Sequence, residues 1–150
     1  MSVESSLSQR GRFNYRACFF NFFGFLVGYS FFSPLTVIPL FVKHLSENTF
    51  WVGLVSAISS IGFFLPQLIA ASWIQGMPFK RQYFCFVGII ERIPILLMAL
   101  SVFIFGQSNP LILLVATVVI FGVHTLAMGC NSPAYFDIVS KIGRYIKLVH

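Results

Sequence analysis

The chain has 150 residues, 57% of them hydrophobic and 9% charged, with a mean hydropathy of +0.87 and a net charge of +6. Soluble domains carry about 25% charged residues, and a chain this short encloses too little interior to hide so much apolar side chain, 19 phenylalanines included. A soluble enzyme, a disordered tail and a nucleic-acid-binding domain all fit poorly, and the composition is that of a membrane protein whose principal partner is the lipid bilayer.

Residues 1–16 are polar, carry Arg10, Arg12 and Arg16, and read as a cytoplasmic tail. No charge occurs over 17–42, which predicts a first transmembrane helix bent in its far half by Pro34 and Pro39. The run is too long for the apolar part of a signal peptide, and no small-residue cleavage motif follows it. Asn21, Gly24, Gly28 and Ser33 give this helix a small, polar face beside Tyr29. The Gly24-x-x-x-Gly28 spacing reads first as a close-packing motif and second as the lining of a pore.

After a polar hinge at 43–49, a second helix is expected over 50–74. Trp51 and Trp73 are 22 residues apart, about 33 Å at 1.5 Å rise, which sets one tryptophan at each membrane interface. Gly53, Ser56, Ala57 and Ser60 form a small-residue surface suited to packing another helix, and Gln67 stands ready to satisfy the carbonyl that Pro66 releases. A third helix follows over 82–106 and a fourth over 110–131, where Asn109 as cap and Pro110 as first helical residue make a well-formed start. Residues 132–150 read as a cytoplasmic segment able to lie at the interface. Uninterrupted apolar runs without period-two alternation exclude the strands of a membrane β-barrel. The expected class is therefore an all-α membrane protein with four transmembrane helices.

Four spans put both termini on one side. Arg10, Arg12, Arg16, Lys80, Arg81, Lys141, Arg144 and Lys147 share that side, whereas Lys43 is alone on the other. This asymmetry predicts cytoplasmic termini in a multi-pass protein of the plasma (inner) membrane. Cys18, Cys85 and Cys130 lie in or beside apolar runs with no CxxC spacing, and read as small apolar residues rather than a disulfide framework.

Glu91 and Arg92 are the ionisable residues expected inside the membrane. Glu91 lies ten residues beyond Arg81, about 15 Å along the helix and near midplane, where an unpaired charge costs at least about 2.5–3.5 kcal/mol. Adjacent helical positions diverge by about 100°, so each is expected to find its partner on another helix. The functional reading is a proton-coupling carboxylate tuned by an arginine. The structural alternative, an ion pair holding the third helix to its neighbours, is the one adopted. His124, Met128, Asn131 and Tyr135 form one stripe on the fourth helix. No Cys, Asp or second His stands at ligand spacing from His124, so no metal is expected. With no HExxH, GxSxG or P-loop, no catalytic residue, enzyme activity or cofactor is expected either.

The order of these features resembles the N-terminal part of a major facilitator superfamily transporter. A basic tail precedes a long first helix with Gly24-Phe-Leu-Val-Gly28-Tyr29-Ser30, then come a short outer loop, a second helix, a tight turn ending in Lys80-Arg81, a third helix, a minimal loop and a fourth. The likeness covers residues 12–141, four of the six helices in one half of that fold. The family's loop motif, Gly-x-x-x-Asp-Arg/Lys-x-Gly-Arg-Lys/Arg, is matched by Gly76 and the pair Lys80 and Arg81 without its aspartate and second glycine. Gly88-Ile-Ile-Glu91-Arg92-Ile-Pro94 is similar to a pattern in some bacterial members.

The resemblance implies a secondary active transporter moving a small solute, with proton or ion coupling, around a central site between two helical halves. It places Asn21, Tyr29, Ser33, His124, Met128 and Asn131 on the substrate path, because the first and fourth helices line the cavity. It gives the Lys80–Arg81 pair a contact with acidic groups across the cytoplasmic face. It also implies a chain truncated before a fifth helix, so that missing helices or a second copy complete the cavity. The alternatives are a complete four-helix protein that oligomerises into a small transporter, and a non-transporting accessory or remnant membrane protein.

Overall fold

The protein is seen as a computed structural model describing the backbone of residues 2–77, 80–106 and 108–149, and the side chains of residues 13, 15–77, 80–106 and 108–141. Arg10, Arg12, Arg144 and Lys147, and Gln107 of the expected outer loop, lie outside the described side chains. Every described element is an α-helix: α1 (Ser2–Phe31), α2 (Val37–Leu45), α3 (Thr49–Gln75), α4 (Lys80–Phe105) and α5 (Pro110–Val149). Three of these are long and apolar enough to cross a membrane, namely α3, α4 and the Pro110–Lys141 stretch of α5.

The apolar run 17–42 is divided rather than bent. Helix α1 already starts at Ser2, taking in the tail expected to be separate, because its thirty residues hold no proline and only the tolerated glycines Gly11, Gly24 and Gly28. It ends at Phe31, just before Ser33-Pro34: a residue preceding proline is pushed out of the α region, and Pro34 supplies no N–H. Over the break, Ser33 O accepts from Ile38 N at 3.1 Å, and the Thr36 hydroxyl donates to the Ser33 hydroxyl at 3.0 Å. Pro39 falls in the first turn of α2, where its missing N–H costs nothing. At the other end of the chain α5 runs on through Pro133 to Val149, so the segment expected after residue 131 is not separate.

The chain forms two compact units, Phe32–Ala134 and Met1–Phe31 with Tyr135–His150. In the latter, Phe22 stacks on Tyr135 with ring centroids 5.8 Å apart and planes at 15°, and Lys141 pairs with Asp137 at 3.1 Å.

The Phe32–Ala134 unit holds the core. Asn48 caps α3 by accepting from Phe50 N at 2.9 Å, and α2 folds back on α3. Helix α4 buries Val87, Glu91, Pro94, Met98 and Ser101, a repeat of four and three that is one stripe of a helix. Phe32, Ile38, Val42, Val55, Met98, Leu114 and Phe121 form one apolar cluster. Ala70, Ile74 and Ala134 form a second, with Tyr83, Phe84 and Cys130 packed against it. Between these clusters α4 also buries Glu91, and α5 buries His124, Thr125 and Asn131.

Helices α3 and α5 touch through missing atoms. A Cβ on Gly62 would collide with the Thr125 hydroxyl and come within 3.2 Å of the Thr125 Cβ, and one on Gly129 would collide with Phe63 O. The surface expected to make such a contact does not. Gly53, Ser56, Ala57 and Ser60 are all exposed, and the two serines bond back to Val52 O and Ser56 O. Gly24 and Gly28 are equally open, with nothing within 4 Å of where a methyl group would stand.

Candidate functional site

The polar residues between the two apolar clusters converge on one carboxylate. Glu91 of α4 is 6% exposed, His124 of α5 1% and Asn131 of α5 8%. Seven positions, two turns, separate His124 from Asn131, which sets both on one face of α5. Asn131 donates from Nδ2 to Glu91 Oε2 at 2.8 Å, and His124 donates from Nδ1 to the Glu91 carbonyl at 3.0 Å. Glu91 is thus held by backbone and side chain from the same neighbouring helix. A Cβ on Gly88, one turn before it, would stand in ordinary contact with Asn131 Nδ2 at 3.7 Å and close to Arg92 Nη1 at 3.2 Å.

The His124 bond to a carbonyl makes Nδ1 a protonated nitrogen, and in the neutral imidazole this leaves Nε2 with only a lone pair. That Nε2 and the Oδ1 of Asn131 are both buried without a hydrogen-bond partner among the described residues. Phe32 meets the imidazole edge-on, with centroids 5.0 Å apart and planes at 84°. Since Phe32 is the first residue of the α1–α2 break, the polar cluster abuts the interrupted segment directly.

Prolines lie close to the backbone carbonyls that meet neighbouring helices here. Each proline inside a helix removes the N–H that its fourth predecessor would bond, and its ring opens that turn. Pro66, Pro94 and Pro133 lie in the interiors of long helices, and in each case the carbonyl three residues earlier meets another helix. For Pro94 it is Glu91 O, taken by His124. For Pro133 it is Cys130 O, which accepts from the Tyr83 hydroxyl at 3.2 Å. For Pro66 it is Phe63 O, against which the Gly129 backbone rests, with Gly62 O beside it at 3.0 Å from the absent methyl position. The first two are hydrogen bonds given to a backbone carbonyl by a neighbouring helix, and the third is a close approach of backbones.

Glu91 and Arg92 do not form an ion pair. Arg92 is exposed and donates from Nη1 to Gly88 O at 2.7 Å, back along its own helix. The partner found by Glu91 is an amide and not the cation expected. Of the residues expected on a solute path, His124 and Asn131 come together around Glu91, while Met128 is half-buried on the same helix and Ser33 is tied up in the α1–α2 break. Asn21 and Tyr29 belong to the other unit, where Asn21 is exposed and Tyr29 stacks on Phe25 with centroids 5.6 Å apart. Lys80 and Arg81 open α4, the first half-buried and the second exposed, whereas Pro78 of the preceding turn lies outside the described residues. Gln67, half-buried beside Pro66, makes no hydrogen bond among the described residues.

The chain matches no protein-family model, no curated protein and no solved structure. The arrangement itself therefore carries what can be said of function. It is a desolvated carboxylate held by an amide and an imidazole, with two acceptor atoms left open. Tyr83, Gly88 and Phe32 are parts of this site that residue type alone did not single out. The signal in the sequence that comes nearest to Tyr83 and His124 is the position of Pro133 and Pro94, whose rings open the helical turns that contain the carbonyls these two side chains reach.

Proposed function

We propose that the chain forms four transmembrane helices of a major facilitator-type bundle, α1 with α2 serving as one interrupted span. Both termini would be cytoplasmic, and the protein would take part in secondary transport of a small solute across the plasma membrane, without enzymatic activity. The observation that carries the proposal is the buried Glu91–Asn131–His124 cluster between helices of membrane-spanning length. Ionisable side chains at that depth are costly and are retained mainly on substrate and ion paths. Two further features support it. The α1–α2 break at 32–36 abuts the cluster, and interrupted helices beside a midplane site are a recurrent feature of transporters. The segregation of basic residues supports the orientation.

Reconstitution of the full chain in proteoliposomes holding a pH-sensitive dye tests this. Sugars, amino acids, organic acids and organic cations are added in turn, with and without an imposed proton gradient. Gradient-driven flux of one class is expected, reduced by His124→Phe and by Glu91→Gln. Lack of flux for every class favours a non-transporting membrane protein. Orientation is checked separately by thiol labelling of single cysteines. Ser46→Cys and Ser108→Cys are expected to label from outside, and Ser8→Cys and Ser140→Cys from the cytoplasm. Labelling of Ser46→Cys and Ser8→Cys from one side removes the four-span arrangement.

A further inference from the structure

Among the described residues the guanidinium of Arg92 lacks a counter-ion, in a place where it needs one. Its Nη1 is bonded to Gly88 O, which puts the group eight residues, about 12 Å, along α4 from Lys80 and, in the membrane arrangement proposed above, inside the hydrocarbon layer. The apolar surface around it is exposed, with Ile89, Ile93 and Leu96 all facing outward. A headgroup phosphate at the level of Lys80 lies two turns away. The chain's own carboxylates are accounted for among the described residues. Glu91 points about 100° away and holds Asn131, Asp137 pairs with Lys141, and Glu47 sits at the start of α3, the far end from the α3–α4 turn.

We propose that Arg92 is an anion-binding residue, and that the solute handled by this protein carries a carboxylate or phosphate that pairs with it inside the membrane. This rests on the transport function proposed above and names its substrate class. With Nη1 anchored to a carbonyl, the Nε–Nη2 edge remains, and that edge matches the two oxygens of a carboxylate or phosphate. The anchor also fixes the side chain before the anion arrives, so less rotamer freedom is lost on binding. Gly88 leaves the anchor uncrowded, since a Cβ there would stand 3.2 Å from Nη1.

The full chain in phosphatidylcholine nanodiscs is titrated calorimetrically with inorganic phosphate and with succinate, and with glycerol as the neutral control. Saturable binding of at least one anion is expected, weakened roughly tenfold or more by Arg92→Gln and less by Arg92→Lys, which keeps the charge without the fork. A misfolded variant would also lose binding, so the Nε–H resonance of Arg92 is followed in the unaltered chain and is expected to shift with the same anion. Replacing part of the lipid with phosphatidylglycerol separates a headgroup from a dissolved anion, and probe binding is expected to be unchanged. The proposal is overturned by no saturable binding of either anion, by binding that survives Arg92→Gln, by an unmoved Arg92 resonance, or by loss of probe binding to phosphatidylglycerol. Flux of a solute without anion binding breaks this proposal alone, whereas anion binding without flux breaks the transport function alone.

Discussion

Against α3, helix α5 presents atoms that are missing; against α4, it presents groups that have to be there. The α3–α5 contact is made by Gly62 and Gly129, with Thr125 filling the gap between. Dispersion and close backbone approach hold it, as they hold most helix pairs where lipid is as apolar as the protein. The α4–α5 contact is made by Glu91, His124, Asn131 and Tyr83 through three hydrogen bonds between the helices. The first seam is damaged by adding atoms and the second by removing them. A single helix therefore fixes the bundle on one side and builds a polar site on the other.

That contrast breaks most sharply at Gly129. Gly129→Ala gains up to about 1 kcal/mol of helix propensity, but drives a methyl into the backbone oxygen of Phe63, which cannot turn aside like a side chain. Overpacking costs about 1–3 kcal/mol, so the net change is a loss, and Gly129→Leu is expected to prevent a monodisperse fold. Unfolding in mixed micelles measures it. A midpoint for Gly129→Ala at or above that of the parent chain would show that α3 and α5 are not in backbone contact.

On the polar side Asn131→Leu is expected to be the most harmful change. It leaves the buried Glu91 carboxylate without its donor, at a cost of about 1–3 kcal/mol. Glu91→Gln belongs at the mild end, with near-normal membrane yield, because a glutamine oxygen can still accept from Asn131. A collapse in yield for Glu91→Gln with a mild Asn131→Leu would restore the cation partner that the sequence led one to expect. Tyr83→Phe removes one interhelical bond of 3.2 Å and is expected to cost about 0.6 kcal/mol, a typical value for such bonds in a bilayer.

These residues also mark what was legible in the sequence. Helices of membrane-crossing length and apolarity from Thr49 to Gln75 and from Lys80 to Phe105 follow directly from runs of apolar residues bounded by charge, because hydropathy and length fix such a helix almost without tertiary context. The common face of His124 and Asn131 follows from helical geometry alone. What did not follow was direction around the helix. Small residues at Gly53 and at Gly62 are equivalent in a sequence, yet only the latter is buried, because the buried face is set by the neighbour it meets. Pairing was equally hidden. The adjacency of Glu91 and Arg92 suggested a charge pair, whereas the rotation between successive positions sends one toward α5 and leaves the other to bond its own helix. Pro34 reads as a bend where it makes a break, since the pull of Ser33-Pro34 away from helix is reinforced by the hydroxyl pair of Ser33 and Thr36.

The smallest expected effect tests the exposed counterpart of the α3–α5 seam. Gly53→Ala places a methyl where nothing lies within 4 Å, so no overpacking term applies. What remains is helix propensity, which favours alanine over glycine by up to about 1 kcal/mol in a helix interior, and less in a long membrane helix already held by its own hydrogen bonds. The midpoint in mixed micelles is therefore expected to stay level or rise slightly. Because the same substitution at Gly129 lowers it, the pair separates a glycine needed for approach from one that is merely small. A drop for Gly53→Ala would mean that the Gly53, Ser56 and Ser60 face is covered by a further helix, and the comparison of seams would then extend to both sides of α3.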